Sequence, residues 1–178
     1  MPETIPETMP APPASARRHA AVLDGDFVVF LIGMRINALH RPDLWMPVAR
    51  SMPQMLSELF RQPSLGLLGA RTLWMGRHIE VVQYWRSFEH LHAYAHARDA
   101  AHLPAWRAFN RAAAASGAVG IWHETYRVAA DAYEAVYVNL PPHGLGQAGR
   151  LVDATGSRAT ARGRLGEAAA DKGPDPAA

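Results

Sequence analysis

Residues 26–37, "DFVVFLIGMRIN", decide the fold. The run is β-branched and aromatic, of strand length, and holds a single glycine, Gly33, so it predicts a strand. Successive side chains of a strand point to opposite faces. Phe27, Val29 and Leu31 therefore share one side, and Val28, Phe30 and Ile32 the other. Both sets are apolar. An antiparallel sheet turns polar residues toward any face that water touches, so this strand calls for cover on two sides.

The pattern on either side of this strand supplies the cover for one of them. Pro42 is placed to open a helix at its first turn. Within "DLWMPVARSMPQMLSELF" (43–60), Leu44, Val48, Met52, Met55, Leu56 and Leu59 recur at three- and four-residue steps, with Pro47 and Pro53 expected to kink or split the helix. "LGLLGARTLWM" and "HIEVVQYWR" read as two strands joined at Gly76-Arg77. Ser87 then caps a helix over "FEHLHAYAHA", and Pro104 fits the first turn of a further segment, "PAWRAFNRAAAA". "GAVGIWHETYRV" and "AYEAVYVNL" complete the set as strands, ended by Pro141-Pro142. The order β-α-β-β-α-β-β gives an α+β, ferredoxin-like antiparallel sheet with helices on one face. Two helices leave the second face bare. A second copy of the same sheet is the simplest cover, which predicts a homodimer packed sheet to sheet.

The ends differ from the middle. Residues 1–21 hold five prolines and no apolar run, and 150–178 are rich in Ala, Gly and Arg without aromatics; both are expected to be disordered tails around a domain spanning 22–149. Neither a signal-peptide pattern nor a membrane-length apolar run occurs, so a cytoplasmic protein with no membrane partner is expected. Residues 22–148 carry 11 arginines against 10 acidic residues. The pI of about 9.3 thus reflects the tails and not a basic face, and nucleic-acid binding finds no support. The absence of cysteine excludes disulfides and thiolate chemistry. Lys172, in the tail, is the only lysine, which excludes a Schiff base or phosphate-loop lysine in the domain.

The segments "FVVFLIGMRIN", "LGLLGARTL", "YWRSFEHLHAYA", "HLPAWRAFNR" and above all "VGIWHETYRV…YEAVYVNLPPHGLG" resemble the monooxygenase-like group of the dimeric α+β barrel superfamily, over roughly residues 25–149. The resemblance implies a homodimeric, oxygenase-type oxidoreductase of secondary metabolism. Its substrate would be a hydrophobic metabolite, aromatic or polyketide-like, held between helices and sheet. One fold hosts many chemistries, so the reaction has to come from the site. The superfamily includes haem-binding members whose proximal histidine comes from the second helix, at a place resembling His102. Two cofactor states follow, none or haem, the second extending to aldoxime-dehydratase-like chemistry. His102 can equally brace the break before Pro104.

Among the other histidines, His92 and His96 are four apart and share a helix face, but no HExxH or carboxylate cluster supplies a third ligand at a familiar spacing, so no metal site is expected. His90, His92 and His96 are expected to face solvent, opposite Phe88, Leu91 and Ala95. Strand alternation in "GIWHETY" puts His123 and Glu124 on opposite faces. One should face the pocket and the other the dimer interface, as a catalytic pair or as a buried ion pair using Arg35, Arg71 or Arg127. Arg35, Trp85, Tyr94 and Trp106 are candidates to line an aromatic pocket. "GLGQAG" (144–149) has dinucleotide-loop spacing but no βαβ unit after it, and is expected to wrap over the partner or the pocket mouth. Two rivals to an enzyme of this type are a non-catalytic dimeric binder of a hydrophobic metabolite and, third, a metal-dependent hydrolase.

Overall fold

The computed structural model describes residues 17–97 and 116–166. Its main sheet has four antiparallel strands in the order β3-β4-β2-β5: β2 (Phe27–Ile36), β3 (Leu67–Met75), β4 (His78–Trp85) and β5 (Val119–Val128). This is the ferredoxin-like α+β arrangement expected from the element order. The β3–β4 hairpin turns at Gly76 and Arg77, where a φ of 62° at Gly76 suits a residue without Cβ. Helix α1 (Pro42–Arg61) runs unbroken with Pro47 and Pro53 inside it, so the expected split does not occur. Helix α2 (Phe88–His96) starts at Ser87, whose hydroxyl accepts from the His90 amide at 3.3 Å. The segment 104–115 lies outside the described residues.

Register assigns the two faces. Val28, Phe30, Ile32, Met34 and Ile36 turn toward the helices, together with their β4 partners Trp85, Gln83, Val81 and Ile79. Val28, Leu59, Leu67, Trp85, Leu91 and Tyr94 form one core there, and Met34, Ile36, Val48 and Val119 a second. Trp85 is 1% exposed. Burying a side chain of this kind stabilises the fold by roughly 1.5–3 kcal/mol.

The opposite face corrects three expectations. Strand β1 (Arg18–Val22) forms inside the stretch expected to be a tail, and β7 (Arg150–Asp153) and the short α4 (Ala161–Arg164) form inside the other. The ordered unit therefore reaches beyond 22–149. The last expected strand shortens to β6 (Val136–Val138) and leaves the main sheet to pair with β1, giving a second sheet in the order β6-β1-β7. This small sheet lies against one end of the bare face. Ala21, Leu23, Phe27, Val82, Tyr84 and Leu145 are buried together, with Val29, Tyr133 and Tyr137 packed on them. The chain thus covers part of its second face itself, because β1 and β7 supply apolar residues that composition had assigned to the tails. The remainder of that face, including Met75 and Tyr126, stays open.

Candidate functional site

On the helix-facing side, β5 places His123 opposite Ile32, between Ile121 and Thr125. Its ring lies 5.7 Å from that of Phe30 at 41°. The imidazole is exposed and makes no hydrogen bond among the described residues. Glu124 points to the other face, opposite Leu31, and accepts a hydrogen bond from the Tyr126 hydroxyl at 2.5 Å. That bond and the carboxylate charge push the Tyr126 phenol up. None of the candidate arginines pairs with Glu124. The Arg35 guanidinium donates to Asn37, Arg127 lies 3.6 Å from Glu89, and Arg71 donates to His143.

Several expected pocket residues are elsewhere. Trp85 and Tyr94 are core, their rings 5.8 Å apart: the Trp85 indole donates to Gln83 and the Tyr94 hydroxyl to Glu58. Large rings on a helix and the strand beneath it reach one another before they reach a ligand. Arg35 lies on the face away from the helices, at the exposed end of β2. Trp106 and His102 fall outside the described residues. His92 and His96 are exposed, with rings stacked at 4.0 Å, whereas His90 is half-buried against Ser87 and Gly66. Phe88 and Ala95 are exposed as well, so the inward face of α2 is set by Leu91 and Tyr94.

A haem-type slot needs an imidazole aimed at open space under the helices. Among the described residues, the helix-side core is closed by Leu59, Trp85, Leu91 and Tyr94. His123 lies along Phe30, at the margin of that core.

A cavity lies on the opposite side, between the main sheet and the β6-β1-β7 sheet. It measures about 430 Å³. Phe27, Val29, Val128 and Leu145 make its apolar wall, and Arg71, Tyr84, Tyr133, Tyr137 and His143 its polar one. Arg71 Nη1 donates to His143 Nε2 at 2.8 Å, and since a guanidinium only donates, Nε2 carries the lone pair. The Arg71 Nε is buried without a partner. Burial pushes the Tyr84 phenol up, and the nearby Arg71 charge opposes that shift. The "GLGQAG" stretch forms the short helix α3 (Leu145–Ala148), which rests on Gly69 and brings Gly144 and Leu145 to the cavity edge. It sits at a pocket mouth, as one of the two expectations had it, but the pocket is on the other face. Arg71 entered the sequence reading only as a possible ion-pair partner, and Tyr84, Tyr137 and His143 did not enter as site residues. No local motif joins them, since Arg71 and His143 are 72 positions apart and meet only through the fold.

Comparison with known proteins adds the family. The pattern of the Monooxygenase af470-like family matches residues 27–145. The chain belongs to that family. Monooxygenase af470 of Aspergillus fumigatus is 29% identical over 132 residues, covering 69% of this chain and 46% of that protein. The chain thus spans less than half the length of that curated relative. Two crystal structures of aldoxime dehydratase share the fold. One, OxdRE in complex with butyraldoxime, has a TM-score of 0.60 at 16% identity, over 75% of this chain and 40% of the other. The second has a TM-score of 0.59 at 20% identity, over 74% and 40%. At these identities the likeness is one of fold.

Proposed function

We propose that this member of the Monooxygenase af470-like family is an oxygenase-type enzyme acting on a small hydrophobic metabolite, with its reacting atoms on the helix-facing side of β2 and β5. The observation that carries the reading is His123. Its imidazole is unengaged among the described residues, stands over an aromatic ring, and is flanked by apolar Ile32 and Ile121. A base in that setting can take a proton from an activated methylene or a phenol and leave an electron-rich anion beside an apolar wall. The anion reacts with dioxygen: the methylene loses two hydrogens and gains one oxygen as a carbonyl, and the second oxygen leaves as water. Phe30 orients a flat substrate by ring contact, which makes an aromatic or polyketide-like substrate the natural class. The protein acts as a homodimer in this reading, the partner lying against the open part of the sheet's other face.

The test is oxygen uptake by the purified protein with a panel of polycyclic phenols and activated methylene compounds. Turnover that falls about 100-fold or more in His123→Ala supports the base role, the range that positioned proton transfer contributes. Turnover unchanged in His123→Ala removes it. Binding of the panel with no oxygen uptake under any condition assigns the protein instead to the class of non-catalytic metabolite binders. A Soret band on haem addition that is lost in His102→Ala would replace the cofactor-free scheme with a haem-dependent one.

A further inference from the structure

The cavity between the two sheets is lined by residues of a different character from those around His123, and its chemistry points to its own ligand. Its cation lacks a counter-charge. Arg71 is half-buried, its Nε is shut away from solvent without a partner, and its hydrogen bond goes to the lone pair of a neutral imidazole. No carboxylate pairs with Arg71 among the described residues. The one acid on the cavity wall, Glu134, is already held by Arg164, whose Nε donates to it at 2.8 Å and whose side chain is 3% exposed. A partly desolvated guanidinium with no anion beside it is costly to keep, and an anion entering from solvent relieves that cost.

Around this cation the wall is arranged for a ligand with a polar head and an apolar body. The Tyr84 hydroxyl stands next to the guanidinium at Gly144: a Cβ added to that glycine would come within 3.2 Å of the hydroxyl and 4.0 Å of the Arg71 carbon. The φ of 54° at Gly144 is one that glycine adopts freely, so the backbone passes close to both groups where a larger residue would fill the space. Two other phenols on the wall also hold backbone groups. Tyr133 exchanges hydrogen bonds with the Leu23 backbone, and Tyr137 accepts from the Gly146 amide. They stiffen the wall; the Tyr84 oxygen likewise accepts from the Leu145 amide, which leaves its O–H to donate, beside Arg71, to the polar head. Phe27, Val29, Val128 and Leu145 then meet the body. A volume of about 430 Å³ is within the range that holds a small organic molecule.

We propose that this inter-sheet cavity is a second binding site, specific for a small organic carboxylate with an apolar, ring-sized body, in which Arg71 and Tyr84 hold the carboxylate. It is separate from the His123 surface, since the two lie on opposite faces of the same sheet. The inference stands on the cavity alone and does not depend on the reaction proposed above.

The experiment is calorimetric titration of the full chain with 2-naphthoate and with its uncharged counterpart 2-methylnaphthalene, checked by amide chemical-shift mapping. The carboxylate is expected to bind at least 10-fold more tightly than the neutral ring, with shifts centred on Tyr84, Gly144 and Leu145. Arg71→Gln is expected to remove that 10-fold preference, and Tyr84→Phe to reduce it several-fold. Arg35→Gln, an exposed arginine on the same face, should leave it unchanged. Variants are compared only after their unfolding curves match that of the parent. Tyr84→Phe, which leaves the guanidinium in place, serves as the second probe should Arg71→Gln fold poorly: a preference undiminished in it would overturn the proposal. Equal affinity for the charged and neutral rings, a preference that survives Arg71→Gln, or shifts centred on His123 would each overturn the proposal. A preference for the carboxylate lost in Arg71→Gln and kept in His123→Ala distinguishes this site from the one proposed for the reaction.

Discussion

Tyr94 illustrates how a residue's element is legible in the sequence while its partners are not. Its ring belongs to the core with Trp85 and Leu91, and its hydroxyl reaches across to Glu58 Oε2 at 2.9 Å. Burial, and after it the hydrogen bond and charge of Glu58, push its phenol well above the ordinary tyrosine range. The folded protein therefore holds this proton more tightly than the unfolded chain does. The resulting stability is fully present below the unfolded value of about 10 and is lost as pH rises through the folded one. Tyr94→Phe is expected to cost about 1.5–3 kcal/mol at pH 7, the size of one hydrogen bond to a charged group. The gap between parent and variant should narrow in urea melts from pH 10 upward. A gap that widens with pH would contradict the assignment. The sequence showed an aromatic at a helical position; whether its neighbour was a ligand or Glu58 depended on where α1 came to lie.

At the scale of elements, the β2–β5 pairing rests on a cross-strand fit. Gly33 pairs with Trp122, and the indole occupies the space that a side chain on Gly33 would need: an added Cβ would lie 2.6 Å from two of its ring atoms. A glycine inside an apolar strand weakens it by itself, and here close approach of an aromatic gives the reason for it. Gly33→Ala is expected to destabilise by about 1–3 kcal/mol, the usual cost of overpacking, with a change in Trp122 emission. Gly120→Ala is the control: it would make only ordinary contacts, at 3.8 and 3.9 Å, and should change stability by less than about 1 kcal/mol. Denaturant unfolding of the two variants decides between them. Periodicity exposed this strand and the glycine in it, and alternation put His123 and Glu124 on opposite faces. It could not pair strand with strand. The small sheet escaped notice because β1, β6 and β7 run for only 5, 3 and 4 residues, too short for alternation to register.

For the whole molecule, the open question of the second face becomes one of area. The β6-β1-β7 sheet covers the end near Phe27 and Tyr84, while Tyr126 and Met75 remain 50% and 53% exposed. Tyr126 lies in the row of Val29 and Met75 in that of Arg35, so the uncovered part runs the length of the face, the extent a second sheet would cover. A homodimer is expected, sedimenting at about twice the 19.4 kDa chain mass at micromolar concentration. A charge placed on that face by Tyr126→Glu should shift the species toward monomer without unfolding it. A single 19.4 kDa species for the parent chain would leave the open face without its cover.

The ferredoxin-like order, the two-sided apolar strand, the cap at Ser87 and the turn at Gly76 were written in the sequence, because each depends on residues within a few positions of one another. The family was legible for the same reason, in the segments around β2 and β5. The extent of the folded unit, the burial of Trp85 and Tyr94, and the meeting of Arg71 with Tyr84 and His143 were decided only by the tertiary structure. These depend on packing between segments tens of residues apart, and neither hydrophobic period nor local motif records which distant surfaces will touch.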